Sequence, residues 1–195
     1  MKNIKDKILF LSVLLNIVFV FSFFQNFEKG NTNRVEQNQN QIAEKKENKY
    51  NGFYDVVRVV DGDTLILKMN DKNQRVRLVG INTPESMAVN GRVVECFGQE
   101  AKKEAKRILE GQKVYFEVQE NDYFDKNGRM LGFVFLKNQD GKYTENFSET
   151  MIKNGFGYEY TYKGRFYKYQ KEFKAAQKSA QKNQAGLWNK ENGCK

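Results

Sequence analysis

Two arginines and three acids stand in this chain at spacings that suit phosphate chemistry. Arg77 and Glu85 bracket the run Arg-Leu-Val-Gly-Ile-Asn-Thr-Pro-Glu, Asp61 and Asp63 flank Gly62, and Arg129 closes the run Asp-Lys-Asn-Gly-Arg. Opening a phosphodiester requires a water made nucleophilic and neutralisation of the negative charge that builds as phosphorus becomes five-coordinate. The chain has no histidine, which removes His-based triads, His-ligated zinc and the commonest general base. A carboxylate beside a metal-held water is then the available base. Arginine offers permanently charged, bidentate contacts to phosphate oxygens, and it holds its proton too tightly to be a simple acid. The proton for a leaving group would come from elsewhere, with water one source. Taken alone, Arg77 also reads as a strand arginine paired with a neighbouring acid, and Glu85 as a turn carboxylate.

The two Asp-Gly stretches carry plainer readings beside the chemical one. Asp61-Gly62-Asp63 can bind a hard cation through carboxylate and carbonyl oxygens, but Asp-Gly is first a hairpin signal. A twelve-residue calcium loop around Asp125 would begin at Tyr123 and end at Val134, so that reading fails and Asp125 and Gly128 read as a turn.

The elements that must position these groups follow from hydrophobic pattern and turn signals. Tyr54–Val60, Thr64–Met69, Arg75–Ile81, Val114–Val118 and Met130–Leu136 read as strands. Gln99–Leu109, Phe147–Lys153 and Phe166–Gln181 read as helices. Pro84, the only proline, fixes its own φ and pushes Thr83 towards an extended shape, which holds the Thr83 carbonyl in one direction. Five strands with three helices in so short a stretch predict an α+β fold, a five-stranded Greek-key barrel of the oligonucleotide-binding (OB) type with appended helices.

Outside that unit the composition changes. Lys2, Lys5 and Lys7 precede an apolar run from Ile8 to Phe24, the pattern of an export signal or membrane anchor occupying residues 1–27. No small-residue cleavage pattern follows, so an uncleaved anchor with the remainder of the chain outside is expected, a cleaved signal and a secreted protein being the alternative. Residues 28–50 are rich in Asn, Gln, Glu and Lys and read as a flexible tether, leaving 51–195 as the domain. The formal charge of +9 points to an anionic partner, nucleic acid or an anionic membrane surface. Lys163–Lys190 carries eight basic residues against Glu172 alone, spread around the helix, which favours diffuse attraction of a polyanion over specific contacts.

Together, Asp61-Gly-Asp-Thr64, Arg77 to Thr83-Pro84-Glu85, Asp125-Lys-Asn-Gly-Arg129 and Gly186-Leu-Trp188 resemble the staphylococcal (thermonuclease-type) nuclease family over about residues 52–190. The resemblance implies a monomeric OB-type barrel that hydrolyses DNA and RNA with Ca²⁺, breaking the P–O5′ bond to leave 3′-phosphate ends. By position it implies Asp63, Asn82 and the Thr83 carbonyl as calcium ligands. It implies Glu85 as general base and Arg77 and Arg129 as the two catalytic arginines. Asn82 departs from the family, which usually has aspartate there, so one negative charge is lost beside the cation and weaker calcium binding is expected. A nucleic-acid-binding module with weakened catalysis is the second reading. Tyr160 and Tyr162 fall near the family's substrate-contacting tyrosines, with core packing the alternative for both. Cys96 and Cys194, far apart in an exported chain, suggest a disulfide pinning the tail near the loop after Glu85; two free thiols are the alternative.

Overall fold

The computed structural model describes residues 49–194 apart from 89, 90, 92 and 121. The basic N-terminus, the apolar run and most of the polar stretch after it lie outside the described residues. Among the described residues no helix is long and apolar enough to cross a membrane. The folded unit begins at Tyr50, whose ring packs edge-on against Tyr123 (5.6 Å) and Phe124 (6.1 Å).

Five strands close into a mixed barrel. β1 (Gly52–Asp61), β2 (Thr64–Met69) and β3 (Lys72–Leu78) form an antiparallel meander. β5 (Lys113–Val118) pairs antiparallel with β1 on one side and with β6 (Met130–Lys137) on the other. The first residues of β6 pair parallel with β3, Val76 opposite Met130 and Arg77 opposite Leu131, and this closes the ring. Two register shifts in β1 bend that strand around the barrel. Leu65, Leu67, Val76, Leu78, Phe116 and Phe133 fill the interior at 0–1% exposure. Each such burial contributes about 1.5–3 kcal/mol, which makes the barrel the rigid part of the molecule.

Among the described residues three α-helices pack on this barrel, giving an OB-type α+β architecture. α1 (Gly98–Leu109) lays Ala101, Ala105 and Leu109 inward, a stripe at helical spacing. The short strand β7 (Tyr143–Asn146) extends β6 and delivers Asn146, whose Oδ1 accepts from the Ser148 and Glu149 N–H groups and caps α2 (Phe147–Lys153). α3 (Gln170–Lys182) buries Phe173, Ala176 and Ala180 and turns its lysines to solvent.

The structure corrects the sequence expectation at three places. The strand expected over Arg75–Ile81 is two elements: β3 stops at Leu78, and the chain turns at Gly80 (φ 79°) into β4 (Gly80–Asn82), which leaves the barrel. The apolar run through Ile81 hides this break, whereas a Cβ at Gly80 would lie 2.7 Å from the Phe173 ring. β4 pairs antiparallel with β8 (Tyr158–Tyr160), and β7 and β8, like β4, are too short to announce themselves in pattern. β3 also begins earlier, at Lys72, because Asn70 and Asp71 both take positive φ (46° and 63°) and make a two-residue hairpin. The third helix starts at Gln170 rather than Phe166, since residues 166–169 turn to bury Tyr167 and leave Phe166 exposed.

Candidate active site

The turn between β1 and β2 supplies Asp63, buried at 7% exposure. Its Oδ1 accepts from the Thr64 hydroxyl (2.9 Å) and its Oδ2 from the Thr83 backbone N–H (3.1 Å). The turn and Thr83 touch because residue 62 is glycine: a Cβ there would sit 2.7 Å from Thr83 Cγ2. Two segments twenty positions apart in sequence thus meet across a contact that only glycine permits.

Arg77 leaves β3 towards the same place and is held on both terminal nitrogens. Nη2 lies 3.0 Å from Asp63 Oδ2 and donates to Asn82 Oδ1 at 3.2 Å. Nη1 donates to the carbonyls of Leu78 and Ile81, the latter at 2.8 Å. Those two carbonyls flank the Gly80 turn, so the guanidinium also fixes where β4 departs. A largely buried ion pair bears its desolvation cost only when further hydrogen bonds support it, and here both Nη groups of Arg77 and both Asp63 oxygens make them.

Asp63 Oδ2 and Asn82 Oδ1 therefore converge on one point, which the guanidinium fills with positive charge. Both are hard oxygen donors of the type calcium takes. Beside them Thr83 Oγ1 is buried with no hydrogen-bond partner among the described residues. The donor set fits a hard cation in kind. It is poor in charge: Asn82 is neutral, and among the described residues no three His, Cys, Asp or Glu side chains group to hold a metal.

Glu85 follows the buried Pro84 and lies beyond the end of β4. Its N–H donates to Glu95 Oε2 (3.0 Å), and its carbonyl accepts from the Glu95 N–H (2.9 Å). The next residue, Ser86, is tied through its carbonyl to Gln99 Nε2 at 2.5 Å. Nothing local in the sequence marks Glu95, a carboxylate ten positions away, as a backbone partner of Glu85.

Arg129 stands immediately before β6, and the parallel register sets that end of β6 beside Arg77. Its Nε donates to Asp125 Oδ2 at 2.6 Å, and its N–H donates to Asp125 Oδ1 at 2.9 Å. Burial alone would raise the Asp125 carboxyl, but the bonds from Arg129 and from the Asn127 N–H outweigh it and hold the group below its ordinary range. Asp125 is a turn residue that also grips an arginine. The spacing of four between Asp125 and Arg129 was the available signal for that second role.

Tyr160 and Tyr162 are exposed at 44% and 50%, so core packing does not account for them. Their ring centroids are 6.3 Å apart, and β8 brings Tyr160 opposite Gly80 and Tyr158 opposite Asn82. Tyr158 rests edge-on against Trp188 at 5.4 Å, and burial, with the nearby Glu95 charge, pushes its phenol up. Cys96 and Cys194 are joined in a disulfide with Cα atoms 5.5 Å apart, which binds the C-terminal tail to the segment that holds Glu85. Lys171, Lys174, Lys178 and Lys182 present positive charge along the exposed side of α3.

The family model for staphylococcal nuclease homologues matches residues 75–190. The thermonuclease of Staphylococcus hyicus is 39% identical over 135 residues, covering 69% of this chain and 75% of the relative. The thermonuclease of Staphylococcus intermedius is 30% identical over 195 residues, covering 96% and 99%. The endonuclease YncB of Bacillus subtilis is 31% identical over 146 residues, covering 70% and 65%.

Proposed function

The chain belongs to the staphylococcal nuclease family, and on that premise we infer that it is an enzyme hydrolysing nucleic acids. We propose further that it is a calcium-dependent endonuclease acting on DNA and RNA and leaving 3′-phosphate ends. One observation carries this reading: Asp63, Arg77 and Asn82, from three different elements, meet at a single guanidinium nitrogen.

In this reading Asp63, Asn82 and the Thr83 carbonyl would hold Ca²⁺, the first two in exchange for Arg77 Nη2, and the ion would supply positive charge to the phosphate undergoing attack. Glu85 would accept a proton from the attacking water, its backbone held by Glu95. Arg129 would pair with phosphate oxygens and gain most when charge accumulates on them in the transition state, and Arg77 would do so with Nη2 once the cation replaces it as the partner of Asp63 and Asn82. Arg129 is suited to this because Asp125 engages its Nε and leaves both Nη groups without hydrogen bonds among the described residues. Tyr160 and Tyr162 offer faces and hydroxyls to the substrate, and the lysines of α3 draw a polyanion without reading its sequence. End-group mapping of cleaved single-stranded DNA tests the bond assignment: 3′-phosphate and 5′-hydroxyl ends are expected, and 5′-phosphate ends would overturn it.

The neutral Asn82 favours a second reading, a nucleic-acid-binding module on the same barrel with weakened catalysis. Both readings predict binding that falls with salt, and only the first predicts chelator-sensitive cleavage. The lysines and apolar run at the N-terminus support export, with the domain anchored outside the membrane, or released if that segment is cleaved.

A further inference from the structure

We propose that Glu95 is a positioning residue for Glu85, an inference that rests on Glu85 being the base. The two residues share a reciprocal pair of bonds, Glu85 N–H to Glu95 Oε2 (3.0 Å) and Glu95 N–H to Glu85 carbonyl (2.9 Å). Glu85 lies past the last residue of β4, where no strand ladder fixes the chain. With the N–H of the peptide before Glu85 and the C=O of the peptide after it both engaged, the backbone at Glu85 cannot turn without breaking a bond.

The gripping segment is itself held from three directions. Cys96 is cross-linked to Cys194 in the tail. Phe97 takes a left-handed conformation (φ 69°) and stacks on Phe156 with centroids 5.6 Å apart. Gly98 opens α1 against the Glu85 carbonyl, where a Cβ would collide with the oxygen. Residues 95–98 thus form a rigid block between the helix and the tail, and Glu95 is the side chain that transmits that rigidity to Glu85. The acceptor oxygen of Glu95 is what the role requires, so glutamine should serve and alanine should not.

The experiment uses the full chain, with Glu95→Ala and Glu95→Gln, single-stranded DNA and saturating Ca²⁺. In Glu95→Ala the Glu85 amide should exchange with solvent about tenfold faster, and kcat should fall about 10- to 100-fold with KM little changed. Glu95→Gln should restore both. Unaltered Glu85 exchange and kcat in Glu95→Ala, or a Glu95→Gln variant as defective as Glu95→Ala, would overturn the proposal. Should Glu95→Ala not fold, the unaltered protein decides: a Glu85 amide exchanging as fast as an open loop amide refutes the grip, and a protected one supports it. If the unaltered protein cleaves nothing, the nuclease reading fails, while the exchange data still judge the grip.

Discussion

Arg77 Nη2 stands 3.0 Å from Asp63 Oδ2 and 3.2 Å from Asn82 Oδ1, so one guanidinium nitrogen joins the β1–β2 turn to the start of the Thr83-Pro84-Glu85 bend. The same group satisfies the Leu78 and Ile81 carbonyls around Gly80. Architecture and charge placement at this site therefore rest on the same side chain, and the consequences can be measured separately.

Restoring a negative charge at position 82 should strengthen cation binding. Asn82→Asp is expected to tighten Ca²⁺ about tenfold, or about 1.4 kcal/mol. Calorimetric titration of the two proteins checks this, and superimposable curves would refute it.

Filling the contact between the β1–β2 turn and Thr83 should separate the two. Gly62→Ala places a Cβ 2.7 Å from Thr83 Cγ2, so a loss of about 1–3 kcal/mol in urea unfolding is expected, with weaker Ca²⁺ binding alongside. A variant as stable as the parent would show that the turn accommodates the methyl by moving.

The Asp125–Arg129 pair gives a pH prediction with a defined sign. The folded carboxyl lies below its ordinary value, so the stability it contributes is fully present above about pH 3.9 and fades only as pH falls through the depressed folded value. The stability gap between the parent and Asp125→Asn should therefore be flat from pH 5 to 9 and shrink below pH 4. Turnover by Asp125→Asn should fall about tenfold, because Arg129 loses its guide. A gap that closes near neutrality would contradict the assignment.

The disulfide spans 98 positions, and in the chain-entropy model such a loop contributes about 4–5 kcal/mol, with measured values often smaller. Cys194→Ser should lower the unfolding midpoint clearly. Equal midpoints for the variant and the parent, both under oxidising conditions, would count against any stabilising role.

Much of this fold is legible in sequence because its elements bury regular faces. β2 alternates, α1 sets Ala101, Ala105 and Leu109 on one stripe, and Asp61-Gly62 marks its hairpin. The break at Gly80 is not, since Leu78 to Ile81 stay apolar whichever sheet they join. Gly80 turns there with positive φ, and a side chain at that position would run into the Phe173 and Tyr167 rings, which arrive from far along the chain. Of the site, the residue types at 63, 77, 85 and 129 point to phosphate chemistry, whereas Asn82 is marked only by the family resemblance. The hold of Asp125 on Arg129 shows in sequence only as a spacing of four, and that of Glu95 on Glu85 not at all, because a hydrogen bond to a backbone amide leaves no trace in composition.

Whether this site cleaves nucleic acid is decided by the initial rate of single-stranded DNA cleavage with Ca²⁺, with chelator, and with Arg77→Ala. Cleavage should need Ca²⁺, stop with chelator and fall at least about 10³-fold in the variant while nucleic-acid binding persists. Cleavage that continues in chelator, or an Arg77→Ala variant as active as the parent, would contradict this.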